Sequence, residues 1–421
     1  MPGPSHPPIH QLEISRRAQR HNVALFRRLA PDSLFMAVVK SNAYGHDLEQ
    51  VVRTLTGQVD WFGVNSLHEV ERLRRIDATT PVLVMGVDAR ELAAGPGIRE
   101  KWFGDSVASY DQLTASGPVA CVVSSLETLQ WIAEHAPQTE FHLKVDTGLS
   151  RLGVHGKELD ECLAFLRAHP GLKWSGLMTH FANVEDVTDQ SYALEQLRRF
   201  EEARTAAGEA AGERRLTVHA AASAPALLLP AARLDLIRVG IALYGLWPSA
   251  ETRLSVRIQH ESDAGAGTMP ELRPVLRWLT RIAHIHDVPA GASVGYGCTY
   301  QTTSDTRVAT LPVGYYEGYE RALSNRGHVL IAGRRAPLLG RVSMNMIVVD
   351  VGHIPEARAG DVAVLIGRSE PASSPGQAKQ AEPADESVEV ISADDLADLT
   401  GTINYEVTTR IHTSIPRVLV D

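Results

Sequence analysis

Between about residue 12 and residue 245 the chain repeats one pattern: a short apolar, β-rich run, then a longer stretch whose apolar residues recur at helical spacing. Eight such runs stand at 34–39, 61–64, 81–85, 119–123, 140–145, 174–178, 216–219 and 235–239. Strands that alternate with helices pair in parallel, because each helix is the crossover that returns the chain to the same end of the sheet. Eight β/α units fit a closed TIM-type (β/α)8 barrel better than an open sheet. The intervening stretches agree. SLETLQWIAEHAP places Leu126, Leu129, Ile132 and Ala133 on one helical face, and QSYALEQLRRFEEARTAAG does the same with Ala193, Leu197 and Phe200. Pro137 and Gly208 are the expected stops of these two helices.

After about residue 250 the texture changes. The polar patch HESDAGAGTMPE reads as a linker, and the chain beyond it reads as mainly antiparallel β: VLRWLTRIAHIHDV, TRVATLPV, HVLIAG and RAPLLGRVSMNMIVVDV. The expected division is therefore a barrel domain over 1–255 and a β domain over 256–421, with a flexible, Ser/Pro/Gly/Gln-rich insertion at 368–387. Ser392 and Asp395 form a candidate capping box, and Gly401 a candidate helix stop. No internal repeat is visible.

Composition narrows the function classes. A net charge of -9 lacks the basic excess a nucleic-acid binder needs. Cys121, Cys162 and Cys298 are far apart and outside any CxxC or Cys/His cluster, so neither a metal site nor a disulfide framework is expected. The first residues, MPGPSHPPIH, carry no cationic apolar signal, and no run approaches the roughly 18 apolar residues of a membrane helix. A cytoplasmic protein is the expectation.

In such a barrel the chemistry sits where strands end, so polar residues that close apolar runs are the ones to inspect. Lys40 closes the first, Lys144 the fifth and His219 the seventh; His180 follows the sixth, and Arg238 lies near the end of the eighth. Singly, each also reads as a residue emerging from the core into solvent; five at one mouth are harder to read that way. A partly desolvated lysine at a barrel rim can act as a nucleophile or form a Schiff base with an aldehyde. Tyr44 and Gly45 follow Lys40. Ser223, and Gly240 with Ile241 in RVGIALYG, supply the hydroxyl and backbone N–H groups that hold phosphate at the end of a barrel. A phosphate beside a reactive lysine points to pyridoxal 5′-phosphate. Without Lys40, RVGIALYG would read as a buried last strand with a glycine turn.

The segments AVVKSNAYGHD, KVDTGLSRLG, MTHFA, RVGIALYG, VGYGCTY, PVGYYEGY, GRVSMNM and GTINYEV, in this order from residue 37 to 407, resemble the successive signature segments of the alanine racemase family. The resemblance implies a pyridoxal-phosphate barrel with a C-terminal β domain, working as a head-to-tail homodimer whose sites draw on both subunits. It implies Lys40 as the cofactor's Schiff-base lysine and base on one face of the substrate Cα, with Tyr296 the base on the other. A phenol is a weak base unless nearby cations stabilise its anion, and His180 is the expected neighbour. Arg238, supported by His219, would face the pyridine nitrogen; a guanidinium keeps its proton, leaving the ring a weaker electron sink. Arg151 would steer the substrate carboxylate, helped by the backbone of Met344, and Lys144 would be a candidate carbamate that positions Arg151. Tyr44, Ser223, Gly240, Ile241 and Tyr405 correspond to the phosphate cradle, while Tyr315 and Tyr405 narrow the entrance and Arg341 lies further out. No metal is implied. The product would be D-alanine for cell-wall peptidoglycan.

Two positions depart from the family pattern: Ala222 where asparagine is usual, and Asn345 where aspartate is commoner. They leave Lys40 and Tyr296 untouched but keep a serine or broad-specificity racemase open as an alternative. A third reading, a barrel that binds pyridoxal phosphate without turnover, has no use for Tyr296, Met344 and Tyr405.

Overall fold

The computed structural model describes residues 9–86, 114–186, 189–262, 269–369 and 389–421. The chain forms two compact units, Ala18–Arg273, and Met1–Arg17 with Pro274–Asp421. The expected division at 255/256 falls inside the helix Ala250–Ser262, because the polar patch read as a linker begins while that helix is still running. Its middle, 263–268, lies outside the described residues, as does nearly all of the 368–387 insertion; Arg368 itself ends a strand.

In the first unit, eight parallel strands follow the apolar runs: β1 (Leu34–Val38), β2 (Trp61–Val64), β3 (Val82–Val84), β4 (Val119–Val123), β5 (Glu140–Lys144), β6 (Trp174–Met178), β7 (Thr217–His219) and β8 (Leu236–Val239). Their order in the sheet is β7-β6-β5-β4-β3-β2-β1-β8, so the first strand pairs with the last, Met36 opposite Arg238. The remaining seam, between β7 and β8, is bridged by Asp235 N–H to Val218 O at 3.1 Å and Arg238 N–H to Ala221 O at 2.9 Å. The barrel is nearly closed.

Alternation along the strands sorts the side chains into two cores. Phe35, Ala37, Val39, Phe141, Leu143, Ile237 and Val239 belong to the large apolar shell shared with the helices. Their neighbours Met36, Val38, Leu83, Ala120, Val122, Met178 and Leu236 form a separate, smaller cluster, the barrel interior. That two-residue rhythm carries the polar residues inward as well: Lys40 continues the row of Met36 and Val38, Arg238 follows Leu236, and His180 follows Met178. The helix expected to stop at Gly208 runs on to Ala211 and is capped by Gly212. Gly208 lies open, with nothing near the place a Cβ would take, so it weakens the helix without ending it.

The second unit is mainly antiparallel. One sheet runs in the order Arg334–Pro337, His328–Ile331, Val362–Arg368, Leu276–Arg281, His10–Ser15, Arg417–Val420. Within it the N-terminal strand His10–Ser15 pairs antiparallel with Leu276–Arg281 and parallel with Arg417–Val420. A second sheet holds His284–Val288, Thr306–Leu311 and Ile347–Asp350. The stretch VLRWLTRIAHIHDV is thus two strands: at Ile282 and Ala283 the backbone changes partners, from Asp361 to Thr310. The capping box forms as the sequence suggests, and Gly401 closes that helix in a left-handed conformation. Among the described residues no helix is long and apolar enough to cross a membrane.

Candidate active site

Lys40 is followed by four residues of left-handed backbone, Ser41 to Tyr44, with φ between 53° and 55°. Each costs about 1–2 kcal/mol for an L-residue, so the turn persists only where its surroundings fix it. Helix Leu67–Arg74 supplies much of that. Glu69 accepts the Ser41 N–H at 2.6 Å and the Asn65 N–H at 2.7 Å, and Arg72 donates to Asn42 Oδ1 at 3.1 Å. The turn delivers Tyr44 to the start of the loop after β8. A Cβ on Gly240 would stand 2.5 Å from Tyr44 Oη, and the Gly240 N–H lies 3.0 Å from Ser223 Oγ, which also accepts from Ala242 N–H at 3.4 Å. Tyr44, Ser223, Gly240 and Ile241 therefore meet, around a spot where only glycine leaves room.

The interior beside this cradle is strongly cationic. Burial and the Arg151 guanidinium lower the Lys40 pKa from its ordinary value, against a pull from Glu69. Burial, then Arg151 and Arg238, bring Lys144 down to about 8, so a useful fraction is neutral amine near neutral pH. Arg151 stands on the exposed loop after β5, where Asp146 Oδ1 gathers the N–H groups of Gly148, Leu149 and Ser150 at 2.9, 2.9 and 3.1 Å. Tyr192 and Arg199, on the helix Ser191–Ala211 that follows β6, hold that loop by the carbonyls of Gly148 and Thr147.

Arg238 is buried, and among the described residues no carboxylate pairs with it. Its Nη2 donates to Thr179 O at 2.8 Å and Ala220 O at 3.0 Å and lies 3.2 Å from His180 Nδ1; its Nη1 lies 2.8 Å from His219 Nδ1. Nε has no hydrogen bond among the described residues. Burial, with Arg238 next, drives His180 to about 3. Arg151, Lys144 and Lys40 push the same way, so the surroundings of His180 favour its neutral form. Among the described residues no cluster of His, Cys, Asp or Glu could hold a metal ion.

The candidates of the second unit gather separately. Tyr296 stands in the short hairpin between Ser293–Val294 and Tyr300–Gln301, where Gly295, Gly297 and Cys298 all have positive φ, and it is 72% exposed. Tyr296, Tyr315, Arg341 and Met344 line one pocket of about 290 Å³, together with Arg321, Val342 and Ser343. Tyr405 is not among the lining residues; it lies on helix Asn404–Arg410. The departure at Asn345 is matched nearby: its amide donates to Glu317 Oε1 at 2.8 Å, while Glu317 Oε2 accepts the Gly314 N–H.

Residues 14–248 match the family model for the alanine racemase N-terminal domain, and 275–388 the model for its C-terminal domain. An alanine racemase of Leptospira interrogans is 40% identical over 412 residues, covering 97% of this chain and 95% of that protein. The chain belongs to the alanine racemase family. Solved structures agree: the alanine racemase of D-cycloserine-producing Streptomyces lavendulae superposes with a TM-score of 0.79 at 30% identity, covering 99% of this chain and 98% of the other. That of Clostridium difficile 630 gives 0.80 at 27% identity over 99% and 97%.

Two groups of this racemase carry no mark in the sequence motifs. His142 stands two residues before Lys144 on β5, so the rhythm that turns Lys144 inward turns His142 inward too, and that rhythm is the signal by which it could be found. Glu69 offers none, since its partners are backbone N–H groups that any residue could provide.

Proposed function

We propose that the enzyme interconverts L-alanine and D-alanine with pyridoxal 5′-phosphate as its cofactor, Lys40 and Tyr296 moving the proton on opposite faces of the substrate Cα. The observation that carries the cofactor is the meeting of Lys40, a desolvated amine between Arg151 and Glu69, with a cradle at Gly240 that a Cβ would fill. When bound, the cofactor would supply an aldehyde to the amine and an electron sink that acidifies the Cα proton.

The chain's own residues would do the rest. Ser223, Tyr44 and the N–H groups of Gly240 and Ile241 would hold the phosphate, with Tyr405 as a further candidate. Arg238, a donor that keeps its proton, would meet the ring nitrogen through the Nε–H left uncommitted in the barrel. Arg151 and the backbone of Met344 would bind the substrate carboxylate. The neutral fraction of Lys144 can add carbon dioxide, giving a carbamate and a released proton; its anion would then steady Arg151. Lys40 Nζ and Tyr296 Oη would take or return the Cα proton from either side, so the substrate need not turn over. Arg341 and Tyr315, beside Tyr296 and Met344 in one pocket, would limit what enters. The enzyme would work as a homodimer with shared sites, in the cytoplasm, supplying D-alanine for peptidoglycan.

Loss of optical rotation with L-alanine and L-serine, measured side by side, tests this. Racemisation of alanine well ahead of serine is expected; serine ahead would move the enzyme to the alternative that Ala222 and Asn345 leave open, and neither would leave a cofactor carrier. The wild-type protein should be yellow from lysine-bound cofactor, and Lys40→Ala colourless. An undiminished colour in that variant would sink the cofactor assignment.

A further inference from the structure

His142 is fully buried in the barrel and takes no part in the proposed proton transfers. Its Nδ1 lies 2.8 Å from His219 Nε2, and the other nitrogen of the His219 ring, Nδ1, lies 2.8 Å from Arg238 Nη1. A guanidinium can only donate, so His219 Nδ1 must offer a lone pair. Neutral His219 then carries its proton on Nε2 and donates it to His142 Nδ1, which must also be a lone pair. The His142 proton is left on Nε2, an atom with no hydrogen-bond partner among the described residues. One tautomer remains for each ring. Neither ring can escape by taking a second proton: burial first, then the Arg238 charge, hold His142 at about 3 and His219 well below the ordinary histidine value.

The fold makes room for this arrangement. Gly176, the register partner of His142 on β6, would place a Cβ 2.5 Å from His142 Cγ. Trp61 lies on another side, its ring centre 5.5 Å from that of His142 and tilted by 60°. A ring pinned between a glycine and an indole cannot readily turn to present its other nitrogen.

We propose that His142 is a positioning residue for the racemase: by accepting from His219 it fixes the tautomer that lets His219 accept from Arg238, and so holds the guanidinium in place. That the guanidinium then meets the cofactor ring rests on the proposed cofactor site. Without an acceptor at position 142, the buried Nε2–H of His219 loses its partner. An unpaired buried donor carries its full desolvation penalty, so the ring then gains by turning out of line with the Nη1 of Arg238 to find a partner for it, and the guanidinium loses that anchor.

The test uses 15N-histidine NMR on the full-length protein with and without pyridoxal phosphate, His142 and His219 being assigned by substitution. Both rings should show an unprotonated Nδ1 and a protonated Nε2, unchanged from pH 5.5 to 8. His142→Asn, whose Oδ1 can accept in place of Nδ1, should keep the His219 pattern and most of kcat. His142→Leu, which leaves the His219 Nε2–H unpaired, should shift both His219 nitrogen signals and lower kcat about tenfold or more, as loss of a supporting partner does elsewhere, with little change in KM. A protonated Nδ1 on His219 in the wild type overturns the proposal, and so does a His142→Leu protein with unchanged His219 signals and kcat. A protein that shows the expected tautomers yet binds no cofactor refutes the cofactor reading and supports the tautomer relay. A coloured protein with the wrong tautomers leaves the cofactor reading standing and overturns the relay.

Discussion

Three histidines held neutral inside one barrel make its stability depend on acid in a way that can be worked out. His142 and His180 sit at about 3, and His219 well below its ordinary value, all three by burial first. In the unfolded chain each returns to a pKa of about 6.5 and binds a proton as the pH falls. The folded pKa is depressed, so the unfolded state binds more protons below 6.5 and stability drops as pH is lowered. Between pH 7 and pH 5 one such group contributes RT ln(1 + 10^(6.5−pH)), a change of about 2 kcal/mol; the three together give about 6 kcal/mol. Half-buried His10 and His328 are lowered too and act in the same direction. Lys144 adds no slope there, since at about 8 it is protonated in both states below neutrality. Ordinary carboxylates titrate mostly below pH 5. Urea denaturation followed by tryptophan fluorescence, at half-unit steps from pH 7.5 to 5, should show the midpoint falling throughout. His142→Asn should flatten the fall by about 2 kcal/mol, one histidine's share. A midpoint flat across this range, or a slope indifferent to that substitution, would refute the claim that these rings are neutral in the fold.

Asn345→Asp, which restores the family's commoner residue, puts a carboxylate beside Glu317 Oε1 where an amide now donates at 2.8 Å; it should destabilise by about 1–3 kcal/mol, read as a lower Tm, unless Glu317 is changed as well. Tyr296→Phe should suppress exchange of the Cα proton of L-alanine with solvent deuterium far more than that of D-alanine, and equal losses of exchange from both enantiomers count against opposed bases. Mixing Lys40→Ala with Tyr296→Phe subunits should restore part of the activity if a site draws on two chains, and proven heterodimers without recovery would rule that out.

The barrel is legible in the sequence because its strands are buried on both faces, and such strands announce themselves as apolar runs. Lys40, Lys144, His219 and Arg238 are legible for the opposite reason, each a charge or ring interrupting a run that had no other cause to stop. Tyr296 has no such context: its hairpin strands are two residues each, and its glycines mark only a turn. Resemblance alone points to it. The N-terminal strand His10–Ser15 is hidden because its partners lie more than 260 residues away, Leu12 pairing with Trp278 and Arg417. The protonation of His180 cannot be read from sequence at all. Its nature as a histidine suggests a switch near neutral pH, and only its burial, with Arg238, Arg151, Lys144 and Lys40 around it, pushes the pKa down to about 3.

Among the described residues of the barrel, the longest run of left-handed backbone, Ser41 to Tyr44, stands directly after Lys40. A right-handed turn there would spare roughly 4–8 kcal/mol over four residues. It would also send residue 44 to a different side of the strand end, away from Gly240. The left-handed path instead brings Tyr44 Oη to the edge of the Gly240 backbone, while Glu69 keeps the Ser41 N–H fixed next to the lysine. Lys40 and Tyr44 are then set by the same five residues, so that the proposed phosphate cradle at Gly240 and the proposed Schiff-base lysine would keep a constant separation. The helix Leu67–Arg74, through Glu69 and Arg72, bears the strain that this requires.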